Sequence, residues 1–324
     1  MSDYNVIAGL KIKYLSSDPS NPESGQVWYN STTNKLRAAG ILGTGAWSSG
    51  GNLNTGRTGN AGFGTQTAAV SVGGYSGTSA VEEYNGSSWT NVTSIPYGID
   101  SAGSCGTQTQ GLIFGGQTPG GPNVNTTLKY NGSSWTSAGT LNTTRRDLIG
   151  AGTQTSALAA LGAIDPPFTT ATEEYNGSSW TSVNNANGPA RRSAAGGGTQ
   201  TSALAFGGYG PTYTAAAEAY DGTNWTNVTS LPSARGVLGG GGTSNSDALA
   251  YGGYDNSYFS TTNSWDGSSW ASESNLAVAR GTKFGLPSAP TGAQLYAGGN
   301  PNPAGYAATE EFTVPVGTAN ITSS

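Results

Sequence analysis

Histidine is absent from all 324 residues. That removes the commonest general base and the commonest transition-metal ligand. It closes the Ser-His-Asp and Cys-His routes and His-ligated zinc or copper, leaving carboxylates, Tyr, Lys and Arg for acid–base work. No metal and no cofactor is expected. Cysteine occurs once, at Cys105, so no internal disulfide forms. Charge is scarce: 13 Lys and Arg against 18 Asp and Glu, a net −5, with no basic run. A nucleic-acid partner, which needs a Lys/Arg footprint, is not expected. No apolar run approaches the ~18 residues of a membrane span, and the first residues lack the basic-then-apolar layout of a secretory signal.

What is abundant is glycine, with 52 residues, alongside 8 Trp and 16 Tyr. The aromatics argue for buried anchors and against disorder. They recur in order. Tyr-Asn-Gly-Ser-Ser-Trp stands at Tyr84–Trp89, Tyr130–Trp135 and Tyr175–Trp180, and varies to Tyr220–Trp225 and Trp265–Trp270. A further copy starts at Ala308-Thr-Glu-Glu-Phe312, and successive aromatic starts lie 46, 45, 45, 45 and 47 residues apart. A glycine pair closes a short apolar run upstream, as in Gly207-Gly208, and Gly-Thr-Gln-Thr precedes that, as in Gly198–Thr201. A fixed period of this length marks a repeat architecture.

Each repeat reads as four short strands, exemplified by 191–198, 203–206, 215–220 and 224–228. Asn-Gly or Asp-Gly turns join the third to the fourth. Small residues on the first strand suit convergence on an axis, and Tyr and Trp fill the widening space between sheets. Five repeats are complete. The sixth offers a first strand from Arg280, a second and a third, but no Trp. The orphan strand around Trp47 supplies the missing outer strand and removes two exposed edges by pairing with that of Phe312. The expected fold is therefore all-β: a six-bladed β-propeller of four-stranded blades over residues 45–314, closed by an N-terminal outer strand. An attachment segment with a small hairpin (1–44) precedes it and a tail (315–324) follows.

The order of glycine pair, Tyr and Trp, with an Arg opening strand one at Arg57, Arg145, Arg191, Arg235 and Arg280, resembles the kelch repeat; Ile99 replaces the Arg in the second repeat. The stretch Ser17–Arg37 resembles a short module of tailed-bacteriophage virion proteins. This resemblance implies a non-enzymatic structural protein of the virion, as tail fibre, appendage or capsid decoration. Such a protein would be made in the host cytoplasm, carried in multiple copies per particle, and would display its propeller for host-surface recognition. Residues 1–44 would bind other virion proteins, with Val27, Trp28 and Tyr29 exposed for attachment.

The candidate ligand sites are two. The Arg set could hold an anion near the axis, or hydrogen-bond loop carbonyls of adjacent blades as structure. The loops between strands two and three, which differ most among repeats, carry Tyr75, Tyr209, Tyr213, Tyr254, Tyr258 and Tyr306. Tyrosine offers contact area at low entropy cost and stacks on sugars, so a host glycan or protein is expected on that face. The adjacent acids Glu82-Glu83, Glu173-Glu174 and Glu310-Glu311 point opposite ways on a strand, and structural roles are expected for them. No enzyme activity is expected. Galactose-oxidase-like chemistry needs His, the Asp-box spacing of sialidases fails at Asp266-Gly267, and Gly239–Gly242 lacks a P-loop Lys. The alternative is a carbohydrate-cleaving, sialidase- or lyase-like propeller. It requires a converging carboxylate pair, which the repeat does not place.

Overall fold

A computed structural model describes residues 4–7, 10–20, 26–41, 43–75, 77–301 and 306–320. Among these there is no helix; the chain forms seven sheets, mostly of four antiparallel strands. It divides into two units, Met1–Gly45 with Thr313–Ser324, and Ala46–Phe312.

The larger unit is propeller-like and repeats one sheet. In the fourth, Ala195–Thr199, Ser202–Phe206, Ala217–Tyr220 and Trp225–Val228 pair in sequence order. The first strand starts later than expected, because Arg191 lies in the connection before it. Tyr220 and Trp225 face each other across the third and fourth strands, 5.0 Å between ring centroids. Between them runs a four-residue loop. Asp221 Oδ1 accepts the N–H groups of Thr223 (2.8 Å) and Asn224 (2.7 Å), and Gly222 takes a positive φ of 94°, where a Cβ would be strained. Of the Asn-Gly or Asp-Gly pair only the glycine adopts positive φ.

Neighbouring sheets are locked by repeated side chains. Gln200 Nε2 donates to Ala157 O (3.0 Å) and Tyr175 O (2.7 Å) of the preceding sheet, as Gln108 and Gln154 do in theirs. The Trp225 indole donates to Thr172 Oγ1 of that same sheet at 3.0 Å. The second member of each acid pair reaches forward instead: Glu83 accepts from Tyr130 OH (2.8 Å) and Glu174 from Tyr220 OH (2.9 Å).

The sixth sheet orders Ala293–Ala297, Thr309–Thr313 and Ala46–Ser49, so Trp47 shares a sheet with Phe312, their rings 5.2 Å apart. The expected first strand from Arg280 does not form. Pro287 and Pro290 lack the N–H that a ladder needs. The segment instead lies against the inner strands of other sheets: Gly198 N donates to Pro287 O (2.8 Å) and Ser288 Oγ to Gly152 O (2.7 Å). Glycines on those strands make the room. A Cβ on Gly62 would come within 2.6 Å of the Phe284 ring, and one on Gly241 within 2.1 Å of Leu286 O.

The smaller unit is a five-stranded sheet of Tyr4–Ile7, Leu10–Leu15, Val27–Asn30, Lys35–Ile41 and Val316–Asn320. Two expectations change here. The expected C-terminal tail supplies a strand, antiparallel to Lys35–Ile41, and the expected hairpin is only the middle of the sheet. Trp28 is also not exposed for attachment: it is fully buried, its indole donating to Asp18 Oδ1 at 2.9 Å. Tyr29 is half-buried against Tyr14, and Val27 remains 39% exposed.

Candidate functional site

The five arginines that open the repeats are fully or almost fully buried. Arg191 Nη1 meets Glu218 Oε2 at 2.7 Å, Arg145 Nη2 meets Glu173 at 3.2 Å, Arg280 Nη1 meets Glu310 at 2.9 Å, and Arg57 pairs with Glu82. Among the described residues Arg235 meets no carboxylate; it binds Asn263 Oδ1 at 2.9 Å. Each partner lies in the arginine's own sheet, not an adjacent one. The same carboxylates accept backbone N–H groups of the incoming connection, as Glu218 Oε1 does from Gly188 at 2.7 Å. Arg57, Arg145, Arg191, Arg235 and Arg280 therefore hold connections in place and do not present guanidinium to a ligand. The first glutamate of each acid pair is consumed in the same work.

One residue further along, the picture reverses. Thr58, Asp100, Arg146, Arg192, Gly236 and Gly281 occupy one repeat position, each paired through its backbone with the residue after the glycine pair (Tyr75, Gln117, Ala163, Tyr209, Tyr254 and Asn300). Thr and Gly serve the fold there equally well, so the charges at Asp100, Arg146 and Arg192 are not demanded by the backbone. The next position forms a chain of backbone hydrogen bonds from sheet to sheet: Ser101 N to Gly59 O, Asp147 N to Ser101 O, Ser193 N to Asp147 O and Val237 N to Ser193 O, at 2.8–3.0 Å. Ser101, Asp147, Ser193 and Val237 all take φ of 53–57°, a region that costs a non-glycine residue energy and that clusters at functional sites.

These residues line a depression of about 320 Å³, with Tyr75, Gln117, Lys283 and Asn300. Asp147 stands among three cations: Arg192 Nη1 at 3.3 Å, Arg146 Nε at 3.7 Å and Lys283 Nζ at 3.7 Å. Arg146 also bridges to Asp165 at 2.7 Å and binds Gln117 Oε1. Burial pulls the Lys283 ammonium down to about 8, aided by Arg192 and opposed by Asp147 and Asp100. Asp100 is half-buried. Burial, with the Asp147 charge, raises its carboxyl above the usual range, against the opposing Ser101 hydrogen bond, Arg146 and Lys283. A carboxyl inclined to keep its proton and a second carboxylate set among cations thus share one concavity, an arrangement suited to acid–base chemistry.

Beside the depression the tyrosines sort themselves. Tyr209, Tyr213, Tyr254 and Tyr258 form a contiguous series, with successive centroids 5.0, 5.9 and 4.8 Å apart, and Phe168 continues it at 6.0 Å from Tyr209. Tyr75 stands apart at the rim, 73% exposed, and Tyr306 is 41% exposed. Residues 302–305 of its loop lie outside the described residues.

Asp100, Arg146, Asp147, Arg192 and Lys283 were not among the residues expected from sequence. The signal existed. Aligned on the repeat arginine, the two positions after it vary in charge from repeat to repeat, which marks Asp100, Arg146, Asp147 and Arg192 but not Lys283, one position further on; the arginine recurs in five of the six repeats because it is structural.

No family model and no curated protein matches the sequence. Among solved structures the chain is similar to YjhT, at 16% identity and a TM-score of 0.67, covering 83% of this chain and 99% of that one. The fold is propeller-like. Beside that likeness the expectation that the present chain is not an enzyme is not maintained. The physical ground for that expectation also fails. It rested on missing histidine and on the lack of a carboxylate pair, yet folding brings Asp100 and Asp147 together from successive repeats.

Proposed function

We propose that the chain is a carbohydrate-cleaving propeller acting on an acidic glycan in the Asp100/Asp147 depression. The observation that carries this reading is the gathering of two carboxylates and three cations, four of them (Asp100, Arg146, Asp147 and Arg192) on repeat positions where other sheets have Thr, Gly, Ser or Val. Arg146, Arg192 and Lys283 suit a sugar carboxylate, since charge-assisted bonds to guanidinium are strong and directional. Asp100, whose carboxyl burial raises above the usual range, is the proton donor to the leaving glycosidic oxygen. As that bond breaks, a water molecule that gives its proton to Asp147 bonds to the anomeric carbon, in the manner of carboxylate-pair glycosidases.

The architecture within this proposal is a kelch-like ring of six blades, closed by Ala46–Ser49. Its support is that contacts among inner strands pass from sheet to sheet and return from Ala293–Ala297 to Ala61–Thr65. Side chains span the same junction: Gln66 Nε2 donates to Phe312 O (2.7 Å), the Trp89 indole to Thr309 Oγ1 (3.0 Å), and Tyr84 OH to Glu311. The setting proposed is a tailed-phage virion, with the smaller unit as its attachment. Supporting it are the Ser17–Arg37 resemblance and the exposed Val27 and Val316, 39% and 41%.

The test is incubation of the purified chain with a panel of carboxylated polysaccharides, measuring new chain ends. Cleavage abolished by Asp100→Asn, with the variant still folded, is expected. Failure to cleave any member, or cleavage indifferent to both Asp100→Asn and Asp147→Asn, overturns the reading.

A further inference from the structure

The same backbone device recurs in the loops of four repeats, the second to the fifth, after the glycine pair or, in the third, after Leu161-Gly162: a residue bridges to another a few positions on, as Gln117 to Asn123, Ala163 to Phe168, Tyr209 to Tyr213 and Tyr254 to Tyr258. The side chains carried by this device are polar in the second sheet and aromatic in the third, fourth and fifth. The backbone does not ask for tyrosine, because Gln117 and Ala163 close the same turn. Nor does the core, whose own rings, such as Tyr175 and Tyr220, are fully buried between sheets. The loop rings are half-buried, each held at a set angle by its neighbour through interplanar angles of 50–79°. One end of the series meets the depression: the Arg192 guanidinium lies 5.7 Å from the Tyr209 ring and 5.8 Å from Phe168, while also binding Asp147 at 3.3 Å. Tyr213 and Arg192 together line a second hollow of about 320 Å³.

We infer that the Tyr209–Tyr213–Tyr254–Tyr258 series is a track for successive sugar rings of a polymer whose acidic unit sits against Arg192 and Arg146. Half-buried, orientationally fixed aromatics receive the apolar faces of pyranose rings at little entropic cost. The track is one-sided, so the polymer leaves the depression toward the fourth and fifth sheets and not toward the second, where Gln117 and Asn123 stand. The protein is thus a chain-binding one, whose affinity grows with polymer length. The inference rests on the proposed acidic-glycan reading for where the chain begins, but makes its own claim about length.

The test is binding of oligosaccharide size series, from dimer to decamer, derived from polygalacturonate, alginate and hyaluronan, to the whole chain. Wild type, the Tyr213→Ala/Tyr254→Ala/Tyr258→Ala variant and the Arg146→Gln/Arg192→Gln variant are compared, each with its fold checked by its thermal transition. For at least one series, affinity is expected to rise with length in wild type. The tyrosine variant should lose roughly tenfold or more on the longest member and little on the dimer. The arginine variant should lose affinity at all lengths. A tyrosine variant that keeps the length dependence overturns the track, as does wild type with no length dependence or no binding in any series. Length-dependent binding lost in the tyrosine variant but untouched in the arginine variant overturns the acidic depression and leaves the track standing.

Discussion

Replacing Glu218 with alanine tests the account of the repeat arginines. In the native chain Arg191 is fully buried. Its charge is answered by Glu218 at 2.7 Å, with further bonds to Gly207 O at 2.9 Å and Pro189 O at 3.2 Å. Glu218→Ala leaves a desolvated guanidinium facing a small cavity and frees the Gly188 N–H as well. Breaking one side of a buried pair costs about 3–5 kcal/mol; at 2–4 °C per kcal/mol this lowers the thermal midpoint by on the order of 10 °C. The fifth sheet supplies an internal control, because Asn263 stands at the equivalent position and satisfies Arg235 without a charge. Glu218→Asn should therefore fall between wild type and Glu218→Ala. Removing both charges, Arg191→Met with Glu218→Leu, should cost less than Glu218→Ala alone, since no ion is left stranded. The assay is urea and thermal unfolding followed by tryptophan fluorescence. A Glu218→Ala variant within about 1 kcal/mol of wild type, or a double variant as unstable as the summed singles, would refute the reasoning.

Lys283 makes stability depend on pH in a definite direction. Its folded-state value of about 8 lies below the ordinary 10.5, so the unfolded chain holds the extra proton between them. Stability should rise, by up to about 1 kcal/mol per pH unit, as pH passes from about 8 toward 10. Subtracting the profile of Lys283→Met isolates this slope; a flat difference curve, or one of opposite sign, contradicts it. The proposed six-bladed closure predicts six lobes in end-on electron-microscopy views of the isolated protein; five or seven lobes, or an open arc, would exclude it.

Much of this protein was legible in its sequence because the information was local and repeated. The Tyr-to-Trp loop depends on a glycine at positive φ and an Asn or Asp beside it, so Asn85-Gly86 and Asp221-Gly222 mark the same turn wherever they occur. The spacing of Trp47 from the series located its strand beside Phe312, because a repeat in phase is a statement about pairing. Four things were not legible. Residues 282–290 resemble the start of another repeat, and only the space between glycine-rich inner strands shows that they fill it. Val316–Asn320 looks like a tail until its partner, Lys35–Ile41, arrives from the other end of the chain. The arginines drew attention because they recur, yet recurrence marked the burial of a charge against a glutamate of the same sheet. Asp100, the adjacent Arg146 and Asp147, Arg192 and Lys283 come from four repeats, the two ends 183 positions apart in the numbering, and become one site only when the inner connections of the sheets are brought together. Local chemistry determined the strands and turns; the convergence of charge was decided by tertiary structure, since apart from the adjacent Arg146 and Asp147 the charges these residues meet come from other repeats.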